Sequence, residues 1–303
     1  MPAQNIIDMS KLPVPDAVDT PDTEALVAEY IQKLQALDAV FDALVESDPA
    51  FKQGEVVAWR VAMLRQQMND AIRAVLLASA TGADLDQIGA NFDVARKVVT
   101  PADDTTIPPT PAVYEEDEAF RARIQLSWAR LSTAGAYNAY QFFALGADGD
   151  VLDAQAYGPE THGKEGRVMM YVLSRTGDGT APSALVDKVH AAINPRNVRP
   201  LTDFVTTQSS VIVPYDIDAD VHIPYGLDAD LVLASANTAL ATYVDSVHRI
   251  GSVVARSGID GSLHQSGVVR VVLRSPAADM FPAMGETYWC RSVTVNKVLV
   301  NAE

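Results

Sequence analysis

Cysteine is almost missing from this chain: Cys290 is the only one in 303 residues. One thiol closes no internal disulfide and has no partner thiols for a metal framework, so synthesis in a reducing cytoplasm is the simple inference. Basic residues are also scarce. The 23 Lys and Arg stand against 39 Asp and Glu, a formal charge of −16. A nucleic-acid groove needs clustered cations to replace counterions around phosphates, and an acidic surface disfavours docking on an anionic membrane. No apolar run approaches the roughly 20 residues that cross a bilayer. The opening MPAQNIIDMSKLPVPD has neither the basic region nor the apolar run of a secretory signal. What is present is ordinary globular content, 48% hydrophobic and 20% charged, in a length that supports two or three modest cores.

Patterns that suggest chemistry break down one by one. Gly158, Gly163 and Lys164 match a phosphate loop, but Glu165 stands where Ser or Thr would hold Mg²⁺, and the next stretch reads as a strand instead of a helix. A hairpin loop is the plainer reading. Asp216, Asp218 and Asp220 begin like a calcium loop, yet Val221 replaces the required Gly and Leu227 the bidentate Glu. At period two they instead share one face of a strand. Asp148 and Asp150 around Gly149 read as a turn. His162, His190, His222, His248 and His264 show no pair at metal-ligand spacing. Cys290 lacks the local signature of a thiol enzyme, and no GxSxG elbow occurs. No catalytic residue, cofactor or metal site is expected; a nucleotide- or metal-dependent enzyme remains only as an alternative that requires a site assembled from distant residues.

Residues 1–20 are Pro-rich and aperiodic, an extended arm. From Thr20-Pro21 apolar residues follow at Leu26, Tyr30, Leu34, Leu37, Phe41 and Leu44, one face of a helix that Asp48-Pro49 should end. A second helix is expected from near Gly54 to about Ala80, with Val57, Val61, Leu64, Met68, Ile72, Val75 and Ser79 along one side at near-heptad spacing. Two such helices form a hairpin that cannot bury both stripes alone. Either a helix expected at 117–131 covers them, or other subunits do; the residues leave both readings open. Next, Gly82 turns the chain into a short helix, ADLDQIGANF, capped by Asp84 or Asp86, with Gly89 small enough for close approach. The strap TPADDTTIPPTP, whose prolines remove N–H donors, can join neither a helix nor a sheet interior. A helix in EEDEAFRARI has acids first and arginines after, as the helix dipole favours.

Beyond Asp150 the period changes. VLDAQAYG and GRVMMYVLSR read as strands, GDGT as a turn, and 182–193 as a helix. FVTTQSSVIVPYDIDADVHIP reads as one or two strands, with Pro214 arguing for an edge or a strand start. Helices at 228–247 and 255–265 precede strands in VVRVVLR and RSVTVNKVLV. The expected fold class is α+β: an N-terminal long-helix hairpin or bundle followed by small strand-helix-strand modules. The expected divisions are an arm at 1–20, a helical domain at 21–100, the strap and central helices at 101–149, and α+β modules at 150–212 and 213–303.

Four stretches in sequence, LASATGADLDQIGANFDVAR, TPADDTTIPPTPAV, DEAFRARIQ and STAGAYNAYQ, resemble the baseplate assembly protein J family, wedge components of contractile phage tails and related tail-like bacteriocins. The resemblance implies a structural role and a place in a tail baseplate. The implied partners are a second copy, two copies per wedge and six wedges in a ring, together with other wedge proteins and proteins near the hub and sheath. It tips the stripes of the two front helices toward intersubunit contacts. It also makes Gly82, Gly89 and Gly135 candidate hinges, since one sequence would serve two environments. The segment 84–136 is the expected dimer-forming region, and 150–303 would reach the adjacent wedge, first through the strand after Pro214. A tail-fibre or receptor-binding module is the other reading; few aromatics (7%) and no fibrous repeat speak against it.

Overall fold

A computed structural model describes residues 7–13, 15, 22–38, 40, 41, 45–131, 137–196 and 198–301. The contacts divide it into two units, one of residues up to Arg96 with Glu116–Ile124, the other of Lys97–Glu115 with the chain from Gln125 onward. The class is α+β, with helices set against small separate sheets. Of the expected arm, little lies among the described residues beyond a 3-10 turn at Met9–Lys11.

In the first unit, α1 (Thr23–Leu37) is capped by the Asp22 carboxylate, which accepts from the Glu24 N–H at 3.2 Å. It is shorter than its apolar spacing suggests. Asp48-Pro49 does not end this helix but opens the next, α2 (Pro49–Val75): Asp48 Oδ1 accepts the Ala50 N–H at 2.8 Å, and proline is suited to a first turn whose N–H groups have no helical partner. Leu26, Val27 and Ala58 form a small core with Ile31, Phe51, Val61 and Ala62. Gly54 admits Tyr30, whose ring would meet an added Cβ at 2.6 Å.

The following helix, α3 (Gly82–Asn91), takes no side-chain cap from Asp84 or Asp86. The Gly82 N–H donates instead to Asp117 Oδ2 at 3.1 Å, at the start of α4 (Asp117–Leu126). Gly89 sits within α3 under the Phe120 ring, 2.5 Å from where a Cβ would stand. Arg96 joins the two helices, with Asp86 and Asp117 each at 2.7 Å and its guanidinium 4.7 Å over Phe120. Burial works against its charge, but the two carboxylates outweigh that and raise its pKa. The buried Arg121 donates to the carbonyls of Leu77 and Ala80, both at 2.7 Å, satisfying the chain where it leaves α2.

The second unit begins with the two-stranded β1 (Val98–Thr100) and β2 (Val113–Tyr114), between which the proline strap makes an excursion closed by paired Asp103 and Thr110 backbone bonds of 2.9 Å. After a 3-10 turn at Ser127–Leu131 comes α5 (Tyr137–Ala147). Next are β3 (Val151–Tyr157), a one-turn α6 (Pro159–His162), β4 (Arg167–Ser174), α7 (Ser183–Ile193) and β5 (Phe204–Ser209). β4 is the middle strand, antiparallel to β3 and parallel to β5. Tyr140 and Ala144 of α5 and Leu185, Val189 and Ile193 of α7 share a core with Val151, Met170, Val172 and Val205 of the sheet.

A single residue, Ser210, leads into the second sheet: β6 (Val211–Pro224), then α8 (Ala229–Val247), α9 (Arg256–Leu263), β7 (Arg270–Ser275) and β8 (Glu286–Val300). The strand order is β7-β6-β8, so β6 is central, not an edge. Pro214 is tolerated because β7 pairs only with Asp218–His222; at Pro214, β6 has β8 alone beside it. Strict alternation puts Ile217, Ala219, Val221 and Ile223 inward against Ala236 and Leu240 of α8 and Ile259 and Leu263 of α9.

Candidate assembly surfaces

The side chains singled out in the front helices fall into two groups. On α1, Leu26 is buried, Tyr30 and Leu34 are half-buried and Leu37 is exposed; Phe41, half-buried, lies beyond the end of the helix, and Leu44 lies outside the described residues. On α2 the buried line runs through Gly54, Ala58 and Asn69, with Val61 and Ile72 half-buried beside it. The remaining stripe residues face away from that line. Val57, Leu64, Met68 and Val75 are 46%, 48%, 53% and 70% exposed. A helix packed on one side presents the rest of a wide apolar band to solvent. Val56, Trp59 and Met63 are exposed as well, and the stripe had not marked them. Among these, Trp59 was visible in the sequence as one of 3 tryptophans and stands one turn before Met63.

The glycines sit in different places. Gly82 has φ +52 and open space where a Cβ would stand. Gly89 is a packing contact within a helix, as described above, and Gly135 lies outside the described residues.

The second unit has a buried joint between its two sheets. Asp153, on β3, accepts the Ile250 N–H at 2.9 Å through Oδ2 and the Ala154 N–H at 2.8 Å through Oδ1. Burial pushes its carboxyl above the ordinary carboxylate range, and the Ile250 N–H and the Arg249 charge partly offset this. Around it Tyr171, Leu173 and Ile250 are packed by Leu152, Tyr157 and Ile212. Gly285 has φ +77 and carries the chain past the Tyr171 ring, where no side chain would fit.

The outer face of the second sheet is charged. Arg274 pairs with Asp218 at 2.6 Å and also with Asp220, while Arg291 binds Asp216 at 3.1 Å through Nε and Ser292 donates to Asp216 at 2.6 Å. These contacts hold the three carboxyls below their ordinary range, Arg274 acting on Asp218 and Asp220 and Arg291 on Asp216. Each of the three aspartates thus has an arginine partner. Among the described residues, no group of three or more His, Cys, Asp or Glu is arranged to hold a metal. Glu165 and Lys164 lie in the connection after the one-turn α6, which leads into β4, so no helix N-terminus faces that loop's lysine. Burial raises the Cys290 pKa, the opposite of an activated thiol. No helix among the described residues is long and apolar enough to cross a membrane.

The exposed apolar band of α2 and the paired charges of the second sheet are the surfaces against which the relatives can be set. A model of the baseplate J-like N-terminal domain matches residues 46–103, and one of the baseplate J-like central domain matches 132–209. Baseplate protein J of Escherichia phage P2 is 41% identical over 297 residues, covering 96% of this chain and 97% of that relative. The chain belongs to the baseplate J family. As a baseplate J protein it is a structural component of a phage-type baseplate. The N-terminal match takes in α2, α3 and β1, and the central match takes in α5 with the β3-β4-β5 sheet.

Proposed function

We propose that this chain is a wedge component which pairs with a second copy, joins other baseplate proteins and closes with neighbouring wedges into a ring around the tail hub. The observation that carries this reading is the exposed apolar band of α2 in a chain alike along nearly its whole length to a baseplate protein. In this reading α1 and α2 form the front helical bundle, and Val57, Leu64, Met68 and Val75 pack on helices of other subunits, with Val61 and Ile72 at the rim. The corresponding line on α1, Tyr30, Leu34 and Leu37 beyond the buried Leu26, with Phe41 just after the helix, completes the bundle from the other side.

Within the assembled wedge, residues 84–136 form the pairing region and the two α+β modules reach the adjacent wedge. Ring closure demands heterologous contacts that repeat by rotation. Gly82, with a left-handed backbone and free space, is a joint at which paired copies adopt unlike conformations. Fibre engagement shifts these contacts and the ring passes the change to the sheath, which requires two packings separated by only a few kcal/mol.

Co-expression with the other baseplate proteins and mass measurement of the purified complexes test this. Two copies of this chain bound to a wedge partner are expected. A chain indifferent to those proteins, trimeric alone and binding cells, would overturn it in favour of a fibre module.

A further inference from the structure

The outer strand of the second sheet is covered along only half its length. β8 flanks β6 and, among the described residues, has no strand on its other side. Near its start the outward carbonyls are occupied: Glu286 accepts the Gly251 N–H at 2.9 Å, and Tyr288 meets His248 Nδ1 at 2.8 Å. Then Arg291 intrudes as an extra residue, since Tyr215 pairs with Cys290 and Asp216 with Ser292. Beyond this bulge the Val300 carbonyl accepts from Tyr225 at 3.0 Å, across the β6 side, so even-numbered residues face β6 and Val293, Val295, Lys297 and Leu299 turn their N–H and C=O groups outward. Among the described residues, no backbone hydrogen bond meets these groups. The same phase carries the two exposed large apolar side chains of the strand, Val293 at 49% and Leu299 at 45%. From 291 to 300 the edge has no proline and no further bulge, and its one lysine, Lys297, is drawn to Asp230 of α8.

We propose that a second copy of this chain covers this edge, the two β8 strands pairing antiparallel about a two-fold axis at Asn296 and joining the two three-stranded sheets into one. The occupant and the register follow from the residues. Outward groups must meet outward groups, which restricts the axis to a few positions along the strand. An axis at Lys297 opposes two ammonium groups, and an axis at Val295 sets Val293 against Lys297. The axis at Asn296 sets Val293 against Leu299 and Val295 against Lys297, each twice, so the exposed apolar residues cover each other and no like charges meet. A two-fold contact is satisfied by one patch meeting itself. The inference rests on the reading that copies of this chain pair, and places one such contact.

The full-length chain is tested alone by sedimentation and then with its baseplate partners. The wild-type chain is expected to be a dimer. Val293→Lys with Leu299→Lys opposes like charges twice and is expected to give monomers that keep the wild-type circular dichroism and a cooperative melt, at a lower temperature than the dimer. Val293→Lys with Leu299→Glu opposes unlike charges in this register and is expected to restore the dimer. Asn296→Cys in a Cys290→Ser background lies on the axis, about 4.5 Å from its copy between Cα atoms, and is expected to give a covalent dimer on oxidation. A monomeric wild type, a dimer indifferent to the lysine pair, or failure of the Lys/Glu pair to restore it would overturn the inference. Capture of the monomeric variant by baseplate partners would leave the wedge reading standing, which separates the two failures.

Discussion

The second sheet and α2 use similar residues to opposite ends. In β6, Ile217, Ala219, Val221 and Ile223 alternate with aspartates and are closed over by α8 and α9, so the apolar side chains lie inside and the charges outside are paired. In α2, Val57, Leu64, Met68 and Val75 recur at helical spacing, but α1 buries a different line, and α4 closes on α3 through Phe120. The α+β module completes its own core. The helical unit leaves apolar surface exposed.

The largest expected break of this contrast is in the sheet module. Leu240→Ala should lower stability by about 3 kcal/mol, the loss of a buried leucine with its cavity, while Met68→Ala should change it by less than about 0.5 kcal/mol; thermal melting of the full chain compares them, and equal losses would show that α2 is closed within the chain. A smaller effect is expected at Arg121→Ala. It leaves the buried carbonyls of Leu77 and Ala80 without their donor, a loss of about 1–3 kcal/mol readable in denaturant unfolding. The smallest is a dependence on acid. Asp216, Asp218 and Asp220 have folded pKa values below the ordinary carboxylate value, so their contribution is present above that value and is lost as pH falls through the lowered ones. Arg274→Gln should remove part of this contribution at neutral pH and leave stability in acid unchanged, so that the acid limb flattens, measured as melting temperature against pH.

The α+β class and most strands and helices beyond Asp150 were legible because alternation at period two and the turn GDGT are local signals. The aspartates at 216, 218 and 220 could be read as one face of a strand, though their arginine partners, 54 to 75 residues away, could not. Pro214 misled because a proline marks a missing neighbour and not a whole edge strand; β7 is simply shorter than β6. At the front, Asp48-Pro49 fits either the end of one helix or the start of the next, and the cap at Ala50 decides it. Likewise, a stripe drawn through α2 cannot tell which of its sides meets α1. That is set by Gly54 and Tyr30, a contact between helices that no local pattern encodes.

The most direct test pairs two readings on one variant. Leu64→Glu with Met68→Glu places charges on the exposed band of α2 in the full-length chain, which is then melted alone and co-purified with the other baseplate proteins. An unchanged melting temperature with loss of the complex is the predicted result. A chain that unfolds, or one that still enters the complex at wild-type yield, would contradict the claim that this band is an assembly surface.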